Sequence, residues 1–195
     1  MSPEEVLAEI ERSGLSSAAV GQWGKHRPTT SHLPIIGREK GAVLVAAVQE
    51  RRPRTILEVG TLVGYSAILM AMHAPQARIT SLEVDPRAAA EAQKNLLRAG
   101  FADRVTVIVG DARETIPRLE GTFDLIFLDA GKEEYFAYLL AAEAKMAPGA
   151  VVVADNVKLF AKEMHDYLAY VRNSGKYESR CHDFGFDGVE VSRRR

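Results

Sequence analysis

Acidic residues in this chain recur at or just after short apolar runs: Glu58, Glu83, Asp111, Asp129 and Asp155. In "ILEVGTLVGYS", residues 56–66, Glu58 is followed by Gly60-x-x-x-Gly64. "SLEVDP" carries Glu83, "VIVGDA" carries Gly110-Asp111, "FLDAGK" carries Asp129 and Lys132, and "VVVADNV" carries Asp155 and Asn156. Carboxylates gathered along one edge repel one another, so the pattern calls for bound cations or hydroxyls. Asp129, Asp155 and Asn156 are hard oxygen donors; they suit Mg²⁺, with Mn²⁺ or Ca²⁺ as alternatives, and not a closed zinc site. Taken alone, Asp155-Asn156 also reads as an ordinary cap. Lys132 shares a side with Asp129 if a turn starts between them. A lysine there is ordinarily a solvated charge, but a bound cation disfavours the ammonium and would make it a proton acceptor.

The glycines point to a second ligand. A glycine turn after a first strand lets a ligand approach the backbone and meet a helix N-terminus. An acid ending the second strand is an acceptor for ribose hydroxyls. A dinucleotide fingerprint reads G-x-G-x-x-G, whereas Thr61, Leu62 and Val63 separate Gly60 from Gly64. The pyrophosphate turn lacks its middle glycine, which favours a nucleoside without a phosphate bridge.

These residues need a scaffold that brings strand ends together. Val- and Ile-rich runs at 55–59, 79–84, 105–109, 124–128 and 150–154 lack polar alternation and read as strands buried on both faces. Between them lie helical segments such as "DPRAAAEAQKNLLRAG", opened by an acid and proline and stopped at Gly100. The repetition predicts an α/β fold: a doubly wound, mostly parallel sheet with helices on both faces. Ligands bind such sheets at the carboxyl ends of the strands. "YESRCHDF" and "GVEVSRRR", joined by "GFD", predict a closing antiparallel hairpin. At the other end, Ser2 and Glu5 form a capping box with Pro3 at the first helical position, so a helix should reach about Gly14. A second helix puts Val43, Leu44, Ala47 and Val48 on one face. Residues 24–37, rich in turn formers, are expected to be a loop that covers the site, with His32, Pro34, Ile35 and Ile36 as its covering residues.

Composition narrows the function. At 195 residues the chain suits one domain over 1–195, with 1–37 as N-terminal helices and lid. A net charge of −1 does not indicate a global grip on nucleic acid. The single cysteine, Cys181, cannot pair within the chain and fits a reducing compartment. The N-terminus lacks an apolar signal region and no run is long enough to span a membrane, so a cytoplasmic protein is expected.

Taken in order, the motifs from E-x-G-x-x-x-G-Y-S to "VVVADNV" resemble the catechol O-methyltransferase-like family of S-adenosylmethionine-dependent enzymes. "FDLIFLDAGKEEY" is part of the same likeness, which runs from about Ile35 to the C-terminus. The resemblance implies that Glu83 binds the ribose hydroxyls, that Asp111 and Ala112 lie by the adenine, and that Gly60 lines the cofactor. Ser66 and Asp129 would hold its methionine end, with Ile36, Glu58, Tyr65 and Val84 as further contacts; Glu58 could serve mainly to pin the loop backbone. Asp129, Asp155 and Asn156 would ligate a divalent cation that chelates two adjacent oxygens of a small phenolic substrate, and Lys132 would be the general base. This chain has Ala130 and Gly131 where the animal catechol enzymes carry bulky residues. That implies a more open pocket, or one filled by Phe184 or Phe186. The family's second-hydroxyl carboxylate has no clear match, and Asp183 is the nearest candidate. Rival readings are methylation of a hydroxylated tRNA base by the same fold, a non-catalytic nucleoside- or NAD-binding module, and a partner-binding protein that kept only the fold. A homodimer is compatible with all of them.

Overall fold

A computed structural model describes residues 1–14 and 34–195. Helix α1 spans Pro3–Gly14 and α2 spans Gly37–Arg51. The strand–helix alternation follows as β1 (Thr55–Val59), α3 (Tyr65–His73), β2 (Arg78–Glu83), α4 (Pro86–Arg98), β3 (Val105–Val109) and the short α5 (Ala112–Thr115). It continues through β4 (Phe123–Leu128), α6 (Tyr135–Glu143), β5 (Met146–Ala154), α7 (His165–Asn173), β6 (Tyr177–Asp183) and β7 (Gly188–Arg194). The capping box forms: Ser2 N donates to Glu5 Oε2 at 2.8 Å and Glu5 N to Ser2 Oγ at 3.2 Å.

Among the described residues the sheet has seven strands, in the order β3-β2-β1-β4-β5-β7-β6. β1 to β5 pair in parallel, and β7 runs antiparallel between β5 and β6. The expected mostly parallel sheet closed by an antiparallel hairpin is therefore present. One strand departs from the expected burial on both faces. β3 is the sheet edge, and of its five residues only Val105 is buried, while Thr106 and Val109 are exposed.

Apolar side chains pack on both faces of the sheet. On one, Leu44, Val48, Ile68 and Met70 of α2 and α3 meet Ile56 and Phe127. On the other, Leu139 of α6 and Leu168 and Val171 of α7 meet Leu57, Ile126 and Val152. Each fully buried aliphatic side chain of this kind contributes roughly 1.5–3 kcal/mol. In α2 the expected face is the buried one: Leu44, Ala47 and Val48 are buried together with Gly41, and Val43 packs at the margin. Helix α4 starts where Asp85 accepts the Arg87 N–H at 2.8 Å, followed by Pro86 at its first turn. From its inner face Asn95 Nδ2 donates to Val63 O at 3.0 Å, which pins the loop after β1.

Candidate active site at the strand ends

Backbone hydrogen bonds continue past the strand termini and align the loops that carry the acids. Gly60 N bonds Leu82 O at 2.9 Å, Gly110 N bonds Glu83 O at 2.9 Å, Asp129 N bonds Val59 O at 2.9 Å and Asp155 N bonds Leu128 O at 3.1 Å. Gly60 has φ +97°, and a Cβ there would lie 2.1 Å from Asp129 O. The glycine is required because the β4 terminus crosses it, a cause distinct from the ligand approach expected from sequence. Gly64, at φ +85°, begins α3 with Ala92 of α4 against it.

Glu58 is the penultimate residue of β1. It is fully buried within β1, accepting from Ser66 Oγ at 2.5 Å and from Ser81 Oγ. Burial, offset in part by those two hydroxyls, pushes its carboxyl up to about 7, with Asp129 and Glu83 adding repulsion. The hydroxyl of Ser66 is thereby turned toward Glu58, and that of Tyr65 is bonded to Glu11 of α1 at 2.6 Å. These side-chain hydrogen bonds brace the loop after β1. Ile36 is buried where α2 begins. His32 and most of the expected 24–37 lid lie outside the described residues.

Glu83 does sit at the edge. Its Oε2 accepts from Leu62 N at 2.8 Å and Oε1 from Asp85 N at 2.9 Å, leaving each oxygen a further lone pair. Val84 beside it is 72% exposed, an apolar surface that faces outward next to the acceptor. Asp111 caps α5 by accepting from Arg113 N at 2.9 Å, with Ala112 buried behind it. The Arg113 guanidinium pairs with Asp111 at 2.5 Å, holding that carboxyl below the usual range, and also reaches Glu134 at 2.9 Å.

The ends of β4 and β5 bring together the other expected residues. Lys132 opens a 3-10 turn, and its Nζ lies 2.8 Å from Asp129 Oδ1 and 3.0 Å from the Tyr135 hydroxyl. Tyr135 Oη lies 2.9 Å from Leu128 O and 3.2 Å from Asp155 O, so one buried phenol ties the two strand ends together. Asp155 is 1% exposed; burial and the neighbouring Asp129 push its carboxyl above the usual range, against the pull of Lys40. Asn156 has φ +63°, a conformation asparagine tolerates better than most residues. Its Nδ2 donates to Asp187 Oδ2 at 2.8 Å. Only the amide nitrogen can donate to a carboxylate, which leaves the amide oxygen as the end available to ligate.

Two residues here were not anticipated. Lys40 of α2 holds both oxygens of Asp155, at 2.7 and 2.8 Å, and Asp187 at 2.9 Å. Asp187 is buried at the end of the hairpin turn, whereas Asp183, the nearest sequence candidate for a second-hydroxyl carboxylate, is exposed and paired with Lys158 at 2.6 Å. Of the two phenylalanines expected as pocket fillers, Phe186 is 80% exposed and Phe184 packs at the margin of the core.

A family model described as O-methyltransferase matches residues 23–169. The chain belongs to that family. This O-methyltransferase is 40% identical over 151 residues to catechol O-methyltransferase of Sus scrofa, covering 73% of this chain and 80% of the pig protein. It is 50% identical over 117 residues to catechol O-methyltransferase of Mycobacterium tuberculosis, covering 59% of this chain and 52% of that protein. Among solved structures, the O-methyltransferase from Bacillus cereus in complex with SAH aligns with a TM-score of 0.80 at 26% identity, over 99% of this chain and 90% of that one. Membership of an enzyme family displaces both non-catalytic readings, the NAD-binding module and the partner-binding fold. Among the described residues no helix is long and apolar enough to cross a membrane.

Proposed function

We propose that this enzyme transfers the methyl group of S-adenosylmethionine to one hydroxyl of a catechol-like small molecule, with a divalent cation at the acceptor. The observation that carries this reading is the meeting of Asp129, Lys132, Asp155 and Asn156 at the ends of two adjacent strands. Relatives named catechol O-methyltransferase support the acceptor class, and the SAH complex of the Bacillus cereus neighbour supports the cofactor.

The donor set fits a hard cation. Among the described residues no group of three or more His, Cys, Asp and Glu is arranged to hold a metal. Two acids and one amide oxygen are nonetheless a set that Mg²⁺ accepts, because it keeps several positions for water or substrate. Two ammonium groups, Lys132 on Asp129 and Lys40 on Asp155, already stand on the two carboxylates. Asp129, Asp155 and Asn156 would hold the cation, which when bound would stabilise negative charge on the acceptor oxygen.

The chain's own residues account for the remaining steps. Glu83 accepts the ribose hydroxyls at the lone pairs its backbone partners leave free. Asp111 and Ala112, with the exposed face of Val84, frame the adenine side. Lys132 Nζ, held between Asp129 and Tyr135, receives the acceptor's phenolic proton when it enters the cycle as the free amine. Opposite charges are consumed as an oxygen anion meets a sulfonium, so excluding water and aligning the two reactants contribute most of the acceleration. We infer a single domain and a cytoplasmic setting, the latter from the unpaired Cys181.

The test is methyl transfer from labelled S-adenosylmethionine to catechols, caffeoyl thioesters and bulk tRNA, with and without excess chelator. Transfer to catechols that stops in chelator is expected. Transfer to tRNA alone would replace the acceptor, and full turnover in chelator would remove the metal.

A further inference from the structure

Among the described residues, Lys40 is the one side chain of α2 that joins the end of β5 to the hairpin turn within the proposed metal site. Its ammonium has three N–H donors, and three carboxylate oxygens surround it at 2.7, 2.8 and 2.9 Å. Its side chain is 18% exposed, and those of Asp155 and Asp187 are 2% and 3% exposed. Such a buried pair of acids around one cation tolerates little further loss of positive charge. Asp187 has a second task, because the same Oδ2 accepts from Asn156 Nδ2. One lysine and one aspartate therefore orient both residues that follow β5.

We propose that Lys40 is a built-in counter-cation for Asp155, seated on Asp187, which holds that carboxylate in place before a divalent ion binds and competes with the ion afterwards. The inference rests on the metal reading above. Its basis is local: any cation ligated by Asp155 lies within a few ångströms of an ammonium bonded to the same oxygens, and like charges at that range repel strongly in a poorly solvated site. The consequence is a metal held loosely enough to exchange. Lys40 and Asp187 are thus positioning residues, acting through Asp155 and Asn156.

The experiment is Mn²⁺ binding at one fixed pH, read from the paramagnetic signal of free Mn²⁺, together with thermal melts with and without Mn²⁺. Lys40→Met should bind Mn²⁺ more tightly than wild type, by about tenfold or more, because the competing charge is gone. Its metal-free melting temperature should fall, and Mn²⁺ should restore it. Should Lys40→Met not fold, the double variant Lys40→Met/Asp187→Asn keeps the local net charge and decides the matter. Tighter Mn²⁺ binding than wild type is expected there too, since the competitor for the Asp155 oxygens is absent. A lysine that were only a structural pin would leave Mn²⁺ affinity unchanged or weaken it on removal, and that result overturns the inference alone. Absence of Mn²⁺ binding from wild type and variants alike overturns the metal reading, and this inference with it.

Discussion

Lys132 and Glu58 show how differently single residues can be read. Lys132 was legible because a three-residue spacing to Asp129 and a strand end suffice to place it, and the structure puts its Nζ 2.8 Å from that carboxylate. Lys132→Met keeps much of the side-chain volume but removes the proposed proton acceptor. It should lower kcat by about 10²–10⁴-fold in a methyl-transfer assay while calorimetry shows little change in cofactor affinity. Glu83→Ala should do the reverse, weakening S-adenosylmethionine binding by about 1.5–3 kcal/mol through lost charge-assisted hydrogen bonds. Unchanged affinity in calorimetry would move the ribose elsewhere. Glu58 stands out in the sequence as an acid near a strand end, but the sequence does not show that Ser66 and Ser81 enclose it. With its carboxyl pushed up to about 7, the folded chain keeps a proton that the unfolded chain releases. Stability should therefore fall as pH rises through the window from about 4.5 to about 7. Glu58→Gln cannot ionise, so its stability relative to wild type should grow across that window by of order 3 kcal/mol. Urea titrations at pH 4.5 and pH 8 measure the difference, and a gap that stays constant would contradict the burial argument.

The elements were more legible than their junctions. Strand runs, the Asp85-Pro86 start of α4 and the closing hairpin all follow from local patterns, and each formed. The edge position of β3 did not follow, because the same Val-rich text serves a central or a lateral strand. Nor did the reason for Gly60. Only the β1–β4 pairing reveals that the Asp129 carbonyl occupies the space of its missing Cβ. Gly60→Ala would combine a backbone clash with an unfavourable φ. It should destabilise the fold by roughly 3 kcal/mol or more, measured by urea titration, irrespective of cofactor. Tolerance of alanine there would mean that the β4 terminus can move aside. By contrast Asp85→Ala removes only a helix cap and should cost about 1 kcal/mol.

At the scale of the molecule, the site is assembled from residues far apart in the chain. Lys40 and Asp187 are separated by 147 positions, which is why neither stood out in the sequence while the strand-end acids did. A ligand that bridges several of these segments should stabilise the whole fold. S-adenosylmethionine at about a hundredfold excess over its dissociation constant should add about 2.7 kcal/mol. For a chain of this size that is a rise of roughly 5–10 °C in melting temperature, which a nicotinamide dinucleotide should not reproduce. The sheet order carries a further consequence, for the time course of folding. β7 is the last of the seven strands in chain order, yet it lies between β5 and β6 and covers the flank of β5 from Val151 to Ala154. Until β7 arrives, a nascent chain presents an apolar run with unpaired backbone groups, a ready partner for another chain. The same arrival brings in Asp187. The strand that ends the risk of aggregation also delivers the second seat of Lys40, so a chain caught before that step is both sticky and without the carboxylate that the proposed ion site needs beside Asn156.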